Sequence, residues 1–246
     1  LKKRLTYQDV GFNIGPLINA SGRIAKANDV VELFLSQNDY KIDEIINKMN
    51  SHNVTRKRIE QENLELIDFK KYKNKNVIFI FNKEFHEGII GIIAAKLSQI
   101  FSKPCFVVTE SQNLLRCSIR SQNNIKINKT INKLIENKLI ISGGGHDEAG
   151  GFSAKKECLS DIEEFINKEF KNLVTKDYSY FDTFTIFPKK KSSIVSDLKS
   201  LEPFGKSNPE PIFYFKNIKS IKSEIINKRH IQNIFKNKSG RTIKSI

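Results

Sequence analysis

Between Ile140 and Phe152 the chain reads Ile-Ile-Ser-Gly-Gly-Gly-His-Asp-Glu-Ala-Gly-Gly-Phe, and no other stretch restricts so sharply what can be built around it. Five glycines and one of the four histidines fall within nine residues, between an apolar pair and a return to alternating apolar and polar positions. Glycine serves where φ is positive or where something must approach the backbone closely. A flexible linker does not usually carry a histidine and two carboxylates at its centre. Two readings remain. One is a tight strand-to-strand turn with a solvated histidine. The other is a phosphate pocket, in which exposed N–H groups of Gly143, Gly144 and Gly145 form an anion-binding concavity and His146 is a directional donor at its rim.

The 246 residues can hold one large or two ordinary domains. No run of about 18 apolar residues crosses the chain, so no transmembrane helix and no membrane partner are expected. Cys105, Cys117 and Cys158 are few, odd in number and not in a CxxC arrangement. That argues against a disulfide or zinc framework and fits a reducing cytoplasm. The net charge of +15 points to a polyanionic partner. However, 34 of the 42 basic residues are lysine, and part of the excess is read as a compositional bias spread over solvated faces. The scarce arginines carry more information, since a planar guanidinium suits phosphate. Arg23, Arg116 and Arg120 all lie in or beside candidate motifs.

Residues 1–27 are punctuated by Gly and Pro, and apolar spacing from Asn28 to about Lys75 predicts helices. Val77–Phe81 and Cys105–Val108 are short apolar runs, read as buried strands, with a helix over Gly88–Phe101 between them. Leu114–Ser121 alternates as a third strand, a helix spans Ile127–Asn137, a strand restarts at Phe152 and a helix covers Leu159–Phe170. Strands alternating with helices imply an α/β domain with a mixed sheet. From Tyr178 short β-like runs take over, through Tyr180, Phe181, Phe184, Ile186 and Phe187 and then past the Pro-Phe-Gly and Asn-Pro turns, which is the pattern of a small barrel.

Alternation places Arg116, Ser118 and Arg120 on one strand face, where they could grip phosphate oxygens with little demand on base identity. A solvated basic strand face is the bland alternative. Asn19 and Arg23 stand four residues apart across a Ser-Gly turn, and His86-Glu87-Gly88 precedes a helix whose N-terminus could favour an anion. Equally, His86 could cap that helix and Glu87 could answer its dipole. Phe204, Phe213, Tyr214 and Phe215, near Lys206 and Lys216, could stack bases or form core, with Tyr214 on the face opposite Phe213 and Phe215. No His, Asp, Glu or Cys cluster has metal-ligand spacing.

The motif Gly143–Gly151 resembles the signature of the DHH-associated domain, the second domain of DHH-family phosphoesterases. Three more segments narrow the resemblance to RecJ-type single-strand-specific exonucleases: Ile14–Arg23 is similar to their RINAAGR segment, Phe85–Ala94 to their HEGVIGIVA helix start, and Leu201–Pro211 to their LxPFGxGNPxP segment. Against the family's KGSGRS, Ser118, Arg120 and Ser121 match, whereas Cys117 and Ile119 replace glycines and would crowd the groove.

The resemblance implies the end of a DHH domain with connecting helices over 1–75, a substrate-binding DHH-associated domain over 76–175 and an OB-fold over 176–246. The fold class is therefore α/β, a mixed sheet with a long N-terminal connecting helix, followed by a small, incomplete OB-like β-barrel whose last strands fall beyond Ile246. The family's Asp-His-His motif is absent and Leu1 is no initiator, so the chain reads as the C-terminal part of a longer polypeptide. The implied function is the substrate-binding portion of a metal-dependent 5′-to-3′ exonuclease acting on single-stranded DNA, in repair and recombination. Mn2+ or Mg2+ would be bound by the missing domain and none by this chain, which alone would be inactive. His146 would meet the phosphate nearest the metals. Asn19, Arg23, Ser118, Arg120, Ser121 and Gly143–Gly145 would hold neighbouring phosphates, with His86, Arg116, Phe204 and Tyr214 as lesser contributors. A monomer is expected, with single-strand-binding protein or a helicase as protein partners. The alternatives are a smaller DHH phosphodiesterase of oligonucleotides or cyclic dinucleotides, the related domain of alanyl-tRNA synthetases and a non-catalytic single-strand-binding module.

Overall fold

The computed structural model describes residues 5–122, 125–173, 180–185, 191–205, 207–226 and 230–245. Tyr178, Ile186, Phe187, Lys206 and Ile246, which entered the sequence reading, lie outside them. The chain divides into two compact units, residues 10–177 and residues 1–9 with 178–246.

The larger unit opens with helices. A π-helical stretch over Asp9–Ile14 leads into α1 (Gly15–Ile24), followed by α2 (Asn28–Leu35) and the 27-residue α3 (Asp39–Glu65). The segment expected to be a punctuated lead-in is thus helical. Pro16 falls in the first turn of α1, where a missing N–H costs nothing. The Ser21-Gly22 pair lies within that helix and makes no turn. Ser21 is buried, and its Oγ pairs with His52 Nδ1 of α3 at 3.1 Å, fixing α1 against the long helix.

A five-stranded mixed sheet follows, in the order β1-β2-β3-β5-β4. Its strands are β1 (Ile78–Phe81), β2 (Cys105–Ser111), β3 (Leu114–Arg120), β4 (Ser142–Gly145) and β5 (Ala149–Ala154). Helix α4 (Glu87–Phe101) makes the crossover between the parallel pair β1 and β2. Helices α5 (Ile127–Glu136) and α6 (Leu159–Glu169) complete the unit. Leu115, Cys117 and Ile119 of β3 face a core shared with Ile127, Ile131 and Leu134 of α5 and Ile162 and Ile166 of α6. On the opposite face, Ile78, Ile80, Cys105 and Val107 pack under Ile89, Ile93 and Leu97 of α4. α4 therefore covers the β1–β2 half of its face.

The sequence reading did not foresee β4, because Ser-Gly-Gly-Gly carries no strand signal. Nor do the glycines adopt positive φ: Gly240 is the sole positive-φ glycine among the described residues. A nest of successive N–H groups needs a left-handed residue, so the expected concavity is not what these glycines build. They allow close packing instead. A Cβ on Gly145 would lie 2.3 Å from the Ala149 carbonyl oxygen, one on Gly151 2.7 Å from that of Cys117, and one on Gly150 2.6 Å from Ile131 Cδ1. Gly144 is the exception, with open space where its Cβ would be.

In the smaller unit, β6 (Thr183–Thr185) pairs in parallel with β7 (Phe213–Phe215), and α7 (Lys191–Ser200), not anticipated from the sequence, lies between them in the chain. The strands β8 (Ile218–Ile226), β9 (His230–Asn237) and β10 (Thr242–Ser245) form an antiparallel sheet in the order β10-β9-β8. The described strands make two separate sheets and do not close into a barrel, in keeping with the incomplete barrel expected.

Gly145→Ala and Gly151→Ala should each destabilise the protein by about 1–3 kcal/mol through overpacking against backbone. Gly144→Ala should leave urea unfolding unchanged or slightly strengthened. A loss at Gly144 as large as at Gly145 would refute the steric assignment.

Candidate nucleic-acid interface

Alternation along β3 separates two populations of side chains. Odd-numbered positions are buried in the α5–α6 core, whereas Arg116, Ser118 and Arg120 stand half-buried on the other face. Beyond the edge of α4 that face is bare. Ser118 pairs across the sheet with Gly151, which pairs with Gly144, so one cross-strand row has a serine and then no side chains. The result is a shallow floor beside α4, open at Gly144.

Cys117 and Ile119 do not crowd this floor, contrary to expectation, because the pleat turns both into the core. Ser121 does not contribute to it either. It follows the end of β3 on the buried parity, its Oγ donates to the Ile125 carbonyl at 2.9 Å, and its N–H donates to the Glu148 carbonyl. Its hydroxyl is a structural tie, and Ser121 drops out of the candidate set.

The first two turns of α4 form one wall. Gly91 brings them against β3: a Cβ there would sit 3.1 Å from Ser118 Oγ. At Gly88 the approach is closer still, since a Cβ would lie 1.9 Å from the carbonyl oxygen of Arg23. The C-terminal turn of α1 is thus seated on the N-terminus of α4, and Arg23 Nη1 donates to the Gly88 carbonyl at 3.2 Å. Asn19, one turn earlier, is exposed and lines a surface groove of about 430 Å³ with Arg23. His86 is the N-cap of α4, its Nδ1 accepting from Gly88 N–H at 3.1 Å. The capping reading of His86 is the one the geometry carries.

This seating brings two arginines together. Burial, and then the neighbouring charge of Arg23, push the Arg120 guanidinium below its usual pKa. Arg120 Nη1 donates to the Ile119 carbonyl at 2.7 Å and lies 3.4 Å from Ser118 Oγ. Two like charges beside a hydroxyl, on a half-desolvated floor, form an arrangement that an anion would relieve. Arg116 is held differently, with Nη1 donating to Ser153 Oγ at 2.5 Å and Nε 3.7 Å from Glu87 Oε1. Sequence reasoning missed Ser153 as a partner and Gly88 and Gly91 as contact points. The glycine pair three apart inside an apolar helix was the available signal.

His146 begins the β4–β5 turn. Its N–H donates to the Ala149 carbonyl at 2.7 Å, and its exposed ring has no hydrogen-bond partner among the described residues. The carbonyls of Asp147 and Glu148 accept from Ile127 and Ser121, pinning the turn to the start of α5 and the end of β3. The geometry is therefore a strand-to-strand turn, with its histidine presented to solvent on an anchored support. Among the described residues no three His, Cys, Asp or Glu side chains converge to hold a metal ion.

In the smaller unit Phe181, Phe184 and Tyr214 form an exposed cluster. Phe181 and Tyr214 stack with centroids 5.2 Å apart, Phe184 meets Tyr214 edge-on at 5.6 Å, and Lys216 Nζ sits 3.9 Å over the Phe184 ring. Tyr214 points opposite to Phe213 and Phe215, as alternation requires. Phe204 is half-buried and meets Tyr7 edge-on at 5.7 Å, so it is engaged within the protein.

Comparison with known proteins shows what this chain is similar to. Residues 74–172 match the DHHA1 domain and residues 187–246 match the RecJ OB domain. The chain therefore carries a DHHA1 match followed by a RecJ OB match, in that order. It is similar to the single-stranded-DNA-specific exonuclease RecJ of Bacillus subtilis, with 23% identity over 95% of this chain and 31% of that protein. The same-named protein of Escherichia coli shows 25% identity over 94% of this chain and 42% of that protein. The crystal structure of RecJ from Thermus thermophilus in complex with Mn2+ superposes with a TM-score of 0.82 at 21% identity, covering 98% of this chain and 36% of that one. The chain spans less than half the length of these relatives.

If the paired arginines await an anion, inorganic phosphate should stabilise the protein beyond chloride at matched ionic strength. A tenfold excess over Kd corresponds to about 1.4 kcal/mol. Arg120→Gln should remove that increment and raise the melting temperature in chloride, because a half-buried charge beside Arg23 is gone. An undiminished phosphate effect in Arg120→Gln would place the anion elsewhere.

Proposed function

We propose that this chain is the substrate-binding portion of a metal-dependent exonuclease that degrades single-stranded DNA from its 5′ end by phosphodiester hydrolysis. The observation that carries the reading is the half-buried Arg116–Ser118–Arg120 strand face, with Gly151 and Gly144 leaving no side chains across from Ser118 and the end of α1, which bears Arg23, seated on α4. Guanidiniums and a hydroxyl that grip phosphate oxygens place little demand on base identity, which fits sequence-independent digestion. The RecJ OB domain adds weight against the smaller phosphodiesterase reading, since it supplies a second nucleic-acid-binding unit.

In this reading Arg23, Arg120 and Ser118 fix one phosphate, and Asn19 adds a neutral amide donor beside Arg23. His146, on its pinned turn, donates to the phosphate that undergoes attack and meets the charge that develops there. The exposed cluster of Phe181, Phe184 and Tyr214 stacks bases, with Lys216 beside it for the backbone. A divalent ion, such as the Mn2+ or Mg2+ held by the Thermus thermophilus RecJ structures, would supply an activated water when bound. In this reading such an ion is held by the part of the relatives' length that this chain does not span.

The test is anisotropy of a labelled oligodeoxythymidylate titrated with the protein at several salt concentrations. Affinity should fall with a log–log slope of about −0.7 per phosphate neutralised, and Arg23→Gln with Arg120→Gln should shallow that slope and weaken binding at least tenfold. Equal affinity for the doubly substituted protein would overturn the reading, leaving the +15 charge as compositional bias. In a chain continuous with a metal-binding domain, His146→Ala should lower single-turnover cleavage about 10²–10³-fold while melting and DNA affinity hold. A rate loss that merely follows unfolding would reduce His146 to a turn residue.

A further inference from the structure

Arg116 is not simply a second copy of Arg120. Four residues of strand, about 13 Å, separate them along β3. Arg120 is drawn towards the Ile119 carbonyl, Ser118 and Arg23. Arg116 is drawn the other way, to Ser153 Oγ and towards Glu87 in the first turn of α4. The floor therefore carries two separate cationic points, one at each end of the Arg116–Ser118–Arg120 face.

The Arg116 site is also incompletely satisfied. Its Nε is shut away from solvent without a hydrogen-bond partner among the described residues, and the nearest Glu87 oxygen, at 3.7 Å, is too far to accept from it. A buried unpaired donor on a charged fork is uncommon because desolvation is not offset. The Glu87 side chain is 49% exposed and that of Arg116 31% exposed, so the carboxylate can swing into solvent while the guanidinium stays on the floor. Ser153 holds Nη1 whatever Glu87 does.

Resting on the proposed function, we infer that Arg116 receives a second phosphate of the same strand, and that Glu87 is a placeholder which this phosphate displaces. Approach of a phosphate repels the Glu87 carboxylate and brings an acceptor to the unpaired Nε–H. A nucleotide with a single phosphate, bound at Ser118 and Arg120, leaves Glu87 in place. A strand long enough to reach Arg116 displaces the carboxylate and gains a fork-to-phosphate contact. Glu87 and Arg116 thus make the site select chains over mononucleotides.

The experiment measures binding of thymidine 5′-monophosphate, a 5′-phosphorylated thymidylate tetramer, and tetramers with one methylphosphonate at each internal linkage in turn. Arg116→Gln should weaken the tetramer about tenfold and leave the mononucleotide unchanged. One methylphosphonate position should cost wild-type protein a similar factor and cost Arg116→Gln nothing further. Glu87→Gln should tighten the tetramer several-fold in the wild-type background and have no effect in Arg116→Gln, whereas a mere change of surface charge would act equally in both. Equal weakening of mononucleotide and tetramer by Arg116→Gln, or an equal Glu87→Gln effect in the two backgrounds, overturns the inference. Should Arg116→Gln fail to fold, the methylphosphonate series in Glu87→Gln decides: the sensitive linkage must remain the same one. If Arg120→Gln weakens every ligand while Arg116→Gln weakens none, only this inference falls. If neither matters, the proposed function falls with it.

Discussion

Contact between the backbone of α1 and that of α4 underlies the arrangement of the candidate site. Gly88 admits the Arg23 carbonyl to a place where any Cβ would stand 1.9 Å away. That approach holds the end of α1 on the start of α4, and only there can the Arg23 side chain stand beside Arg120. The buried Ser21–His52 pair and α3 brace the other side of α1. Gly88 lies in the first turn of α4, directly after the His86 cap and Glu87, where a missing Cβ is what lets the two backbones meet.

β3 has the complementary role. One parity supplies Leu115, Cys117 and Ile119 to the core, and the other presents Arg116, Ser118 and Arg120 beside α4. The glycines of β4 and β5 serve both sides: Gly143 and Gly150 lie against Ile131 of α5, while Gly151 and Gly144 leave the floor without side chains. Packing and binding are therefore coupled through a few strand residues, and the arginine face is only as well placed as the core beneath it.

Much of this was legible in the sequence. The apolar runs and alternation located β1, β2 and β3, and helical spacing found α4, α5 and α6 to within a residue or two. Alternation also isolated the Arg116, Ser118 and Arg120 face. Failures came where local signals were silent. A strand of Ser142–Gly145 has no β-branched residue to announce it, and α1 hid behind Pro16 and Gly22, both harmless where they fall. Ser121 was misassigned because one residue past the strand end changes the face. Partners distant in sequence, such as Ser153 for Arg116 and Gly88 for Arg23, leave no spacing signature to read.

The two-sidedness of β3 has a consequence for how such a protein can diverge. Cys117 and Ile119 both point into the core, so side chains of that size at these positions leave the groove open. Deleting or inserting one residue in the strand would be a different event. It would exchange the two faces at every later position, sending guanidiniums into the interior and isoleucine into the groove. Such a strand tolerates changes of residue that keep to their own face, but not changes of length, because its seven positions must alternate in step with the core.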